Sequence, residues 1–95
     1  MTPTEKMNYA AKQTVARKIE DYASTDRCYN NSFYEIAFND FGKFIAEVMK
    51  LDIFAAKVAA TIDKSMNPYN RRVANVSSKQ AWVLACAAVE NGIEF

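Results

Sequence analysis

An all-α fold, a compact single-domain bundle of four helices, is what three observations predict for this chain. Four stretches carry apolar residues at spacings of three and four, the period of one helix face. Each stretch is bounded by residues that cap or stop helices. Two glycines and two prolines in 95 residues are too few for an all-β protein, which needs a turn every few positions. One domain spanning 1–95 suits the length, because cores are organised in units of roughly 100–150 residues.

The first helix is predicted from about Thr4 to Tyr22, with Pro3 and Thr4 as starting residues. Met7, Ala11, Val15, Ile19 and Tyr22 share one face, and Lys6, Gln13, Arg17 and Glu20 lie largely away from it. A polar stretch from Ala23 to Asn31 follows, with the composition of a loop. Asn30, Asn31 or Ser32 can cap a second helix from about Phe33 to Lys50, and Glu35 completes a capping box if Ser32 is the cap. Its apolar face is read as Phe33, Ile36, Ala37, Phe41, Phe44, Ile45 and Val48, widened by Tyr34 and Phe38. Asp40, Lys43, Glu47 and Lys50 alternate in sign and form an expected ion-pair face. Gly42 costs about 1 kcal/mol relative to Ala inside a helix, so it marks either a kink or a close helix contact. A break at Asn39-Asp40, with Asn39 as cap, is the alternative.

Asp52 is the expected cap of a third helix from about Ile53 to Met66. Ala55, Ala59, Ile62 and Met66 make its stripe, flanked by Phe54 and Val58, and Asn67-Pro68 stops it. After the connection from Asn67 to Val76, Ser77 caps a fourth helix over Ser78 to Asn91, closed by Gly92 in the left-handed region. Ala81 to Val89 is apolar all round, so this helix is expected at the centre of the domain, around Trp82, Leu84, Ala85, Cys86 and Val89. Ile93-Glu-Phe either forms a short strand or tucks Phe95 against the core.

Several classes of chemistry have no residues to support them. The chain has no histidine, the commonest general base and metal ligand. Gly42 and Gly92 cannot build a phosphate loop, and no acid cluster has calcium-loop spacing. Cys28 and Cys86 lack metal-ligand spacing. Ser77, Ser78 and Lys79 are accounted for by capping rather than by a nucleophile and its base. A non-enzymatic protein without metal or cofactor is therefore expected. No basic segment leads into an apolar run at the N-terminus, and the longest apolar run falls far short of the roughly 20 residues that span a membrane. These features point to the cytoplasm, where the two cysteines stay reduced, with Cys86 a small buried hydrophobe.

Two features point to binding. Lys64, Arg71, Arg72 and Lys79 lie in a stretch without an acid until Glu90, and Tyr69 stands beside the arginine pair. Aromatics make up 13% of the chain and concentrate around the second helix. Tyr34 and Phe38, read as lying off the main stripe, with Tyr29 in the preceding loop, are expected to form an exposed apolar patch. The expected partner surface is thus Tyr29, Tyr34, Phe38, Tyr69, Arg71, Arg72 and Lys79, and the expected partner another protein or a second copy in a homodimer. The alternative is a nucleic-acid module on the basic 64–79 region. With a net charge of +1 and four local cations, its binding would be weak, with a salt slope no steeper than about −3.6. A helix-turn-helix does not fit, because the connection between helices three and four exceeds the three to four residues of that motif.

In size, compactness and lack of catalytic residues, the chain resembles the small accessory proteins of phages and plasmids. Many of these are helical and act by binding and inhibiting a host protein, including nucleases of defence systems. The resemblance implies an inhibitor or anti-defence factor and transfers no site residues.

Overall fold

The computed structural model describes residues 2–28 and 32–95, and within them all regular structure is helical. The helices are α1 (Pro3–Ser24), α2 (Ser32–Met49), α3 (Phe54–Ser65) and α4 (Ser78–Glu90). α1 packs most extensively on α4, and α2 on α3. α1 and α3 each touch α2 and α4 but not each other.

The helix ends follow capping chemistry with one exception. Thr2 Oγ1 accepts from the Glu5 N–H at 3.2 Å, and the Glu5 carboxylate accepts from the Thr2 N–H, so α1 starts at Pro3, one of the two expected starting residues. Ser77 and Gln80 make the same reciprocal pair at α4. Gly92 closes α4 with φ +69°, a conformation that lets the Ile93 N–H reach the Ala88 carbonyl at 2.9 Å. The exception is α3. Its cap position is Ile53, without a side-chain hydrogen bond, and the expected cap Asp52 lies one residue too early. For α2, Asn30 and Asn31 lie outside the described residues, and Ser32 is the first helical residue.

α2 runs unbroken through Asn39 to Gly42, so the alternative of two shorter helices is not adopted. At Gly42 an added Cβ would meet the Met66 methyl at 3.5 Å, an ordinary van der Waals distance, so neither the expected kink nor a close helix contact requires the glycine. The buried stripe of α2 is Tyr34, Ala37, Phe41, Phe44, Ile45 and Val48. This corrects the expected phase. Phe33 and Ile36 share the face of Asp40, Lys43 and Glu47, and they are 47% and 52% exposed. Of the expected ion-pair face, Glu47 and Lys50 are the only pair among the described residues, at 3.0 Å. Met7 and Ala11 of α1 are likewise exposed rather than packed, although Tyr9 and Lys12 beside them reach Trp82 and Glu90 of α4.

α4 shows no exposed residue from 80 to 89, yet it shares the centre with α2. Ala81, Leu84, Ala85, Ala87 and Ala88 are buried, whereas Trp82, Cys86 and Val89 are only half-buried. Small alanines admit close neighbours, so the bulk of the core comes from Phe41, Ile45 and Val48 of α2, with Ile19, Ile62 and Leu84. Phe95 folds back without forming a strand and stacks on Phe44 with ring centroids 4.5 Å apart. Both cysteines are free thiols, and Cys86 lies half-buried, where burial pushes its thiol pKa up. Among the described residues no helix is long and apolar enough to cross a membrane.

Candidate partner-binding surface

The connection from α3 to α4 looks polar in sequence but is anchored at both ends. Val73 and Ala74 are buried, and the Ala74 N–H donates to the Ala23 carbonyl at the end of α1. Ser65 Oγ accepts from the Asn75 N–H at 3.0 Å. Upstream, Asn67 Oδ1 accepts from the Tyr69 N–H at 2.8 Å, a local turn that suits asparagine. Residues 69–72 are thereby held at the rim of the molecule, all exposed.

This rim docks on the segment that follows α1. Asp26 and Arg72 form an isolated antiparallel bridge, and the Arg27 N–H donates to the Arg71 carbonyl at 2.6 Å. Arg71 Nε donates to both Asp26 carboxylate oxygens, at 3.0 and 3.3 Å. The Asp26 carboxyl is held below its ordinary range, first by the Cys28 N–H that donates to it and by the Cys28 side chain, then by Arg71. The Arg71 guanidinium is correspondingly raised, first by the Cys28 side chain and then by Asp26.

A series of three rings and one guanidinium crosses the same end of the molecule. The Phe38 ring stacks on Tyr34 at 6.0 Å. The Arg27 guanidinium lies over Tyr34 at 6.0 Å and over Tyr69 at 5.8 Å, within cation–π range. The series therefore joins α2, the segment after α1 and the α3–α4 connection. Tyr69 ends it with 85% of its surface exposed.

Tyr34, Phe38, Tyr69, Arg71 and Arg72, expected as two separate features, thus come together at one end of the bundle. The expected exposure of Tyr34 is corrected. Its ring continues the buried stripe of Phe41 and Ile45 at helical spacing and is 5% exposed, and its hydroxyl donates to the Asn67 carbonyl at 3.1 Å. Phe38 is half-buried beneath it. Lys79 is exposed in the first turn of α4, and no hydrogen bond or ion pair joins it to the group among the described residues. Tyr29 lies outside the described residues.

Sequence reasoning missed Asp26 and Arg27. The basic stretch lacks acids only in sequence, and Asp26 reaches it from 45 positions away. No local signal announces that pairing. Among the described residues the interior holds no polar or charged side chain, and no three His, Cys, Asp or Glu residues are grouped to hold a metal ion. Comparison with family models, with curated proteins and with solved structures finds no match for this chain.

Proposed function

We propose that this protein is non-enzymatic and works by binding another protein at the Arg27–Tyr69–Arg71–Arg72 surface. The observation that carries the reading is the convergence of a nearly fully exposed tyrosine with three exposed arginines on a rim fixed by backbone hydrogen bonds. Tyrosine and arginine are the residues that concentrate energy at protein interfaces. A rim already ordered in the free protein loses little conformational freedom when it is bound. The resemblance to phage and plasmid accessory proteins adds inhibition of the partner as the mode of action.

Capture from extracts of the native host tests this. Tyr69→Ala should remove the captured protein while the circular dichroism spectrum stays helical, because the side chain is outside the core. Phe54→Ser, on the far turn of α2 and α3, should leave capture unchanged. Recovery of nucleic acid alone, or of the same protein by the Tyr69→Ala variant, overturns the reading.

A further inference from the structure

We propose that the partner presents an acidic segment to this surface, with its carboxylates on Arg27 and Arg72. The inference rests on the protein-binding reading above and names the chemistry of the partner. Three arginines, Arg27, Arg71 and Arg72, and one carboxylate, Asp26, lie in the two paired segments, which gives the rim a net charge of +2. That carboxylate, Asp26, engages Arg71 alone among them. Arg27 and Arg72 make no ion pair among the described residues. The Arg27 guanidinium carbon lies 6.0 Å from the Tyr34 ring centroid and 5.8 Å from that of Tyr69, and a guanidinium beside rings keeps its N–H groups as donors for an incoming acid. A carboxylate accepts two parallel N–H bonds from such a fork, so the pairing is directional as well as attractive.

A nucleic-acid strand fits the same surface less well. Arg27 already lies over both Tyr69 and Tyr34, so a base stacking between those two rings would have to displace it. Asp26 repels any phosphate that approaches Arg71. If all three arginines did meet phosphates, the salt slope on a single strand would reach only about −2. A protein segment has no such conflict, since it can place carboxylates on Arg27 and Arg72 and leave the Asp26–Arg71 pair intact.

Fluorescence anisotropy on the full chain at low salt tests the inference. The probes are a labelled peptide rich in Glu and Asp, a Lys-rich peptide of equal length, and an oligothymidylate of charge equal to the acidic peptide. The acidic peptide should bind, and the Lys-rich peptide should not. Arg27→Gln and Arg72→Gln should each weaken binding about tenfold, the usual scale for a lost charge-assisted contact. Lys43→Gln, on the outer face of α2, should leave it unchanged. Failure of the acidic peptide to bind, equal binding by both arginine variants, or tighter binding of the oligothymidylate overturns the proposal. Should it fall while Tyr69→Ala still abolishes protein capture, the partner is a protein of other chemistry and the binding reading stands.

Discussion

The two ends of the α2–α3 pair handle their apolar groups in opposite ways. At the short turn between these helices, Met49, Ile53 and Phe54 are large and apolar, yet they are 38%, 45% and 69% exposed. At the other end, the connection NPYNRRVANV reads as polar, yet Val73 is fully buried and Ala74 nearly so. The difference lies in what covers each segment. The short turn packs Leu51 against the core and leaves its other large apolar side chains in water. The long connection lies against the end of α1, and its backbone finds partners there at Ala23 and Arg27. Burial here is decided by neighbouring chain, and local composition is a poor guide at both ends.

The contrast can be broken by substitution, with the largest effect in the segment that looks polar. Val73→Asp should unfold the protein, because an unpaired buried carboxylate costs several kcal/mol against a total stability of roughly 5–10. Phe54→Ser should change stability by no more than about 0.5 kcal/mol, the scale of an exposed substitution. Urea titrations followed by circular dichroism compare the two directly. Equal destabilisation by both would show that the turn is as well packed as the connection.

Tyr34→Phe sharpens the comparison at the anchored end. It keeps the ring in the core and deletes the bond to the Asn67 carbonyl, at a cost of about 1 kcal/mol. The loss should appear as faster amide hydrogen exchange at Ala74 and Asn75 than at α3. Uniform acceleration across the molecule would mean that the connection does not open as a separate unit.

The smallest expected effect is in acid. The folded pKa of Asp26 lies below its ordinary 3.8, so its contribution to stability is complete above that value. It is lost as pH falls below 3.8 and through the lower folded value. Asp26→Asn should therefore lower the melting temperature at neutral pH slightly and flatten the decline on the acid side. A wild-type curve that parallels the variant throughout the acid range would show that the Asp26–Arg71 pair does not hold the two segments together.

Much of the fold was legible in the sequence because it rests on short-range rules. Four apolar periodicities, the Ser77 cap and Gly92 past the end of α4 act within four or five residues, and the helices form within two residues of where those rules place them. The phase of α2 was legible too, but only by counting back from Phe41 and Ile45 to Ala37 and Tyr34 rather than forward from Phe33. Candidate residues for the surface were readable as types: an exposed tyrosine beside an arginine pair, and aromatics near the start of α2. Only the tertiary structure decided that they form one surface, because Arg27 and Asp26 reach Tyr69 and Arg71 across more than forty positions of chain. Contacts at that separation depend on how helices pack and where their ends fall. Hydrophobic periodicity specifies which side of each helix turns inward, but it carries no information about which loops will meet at the rim.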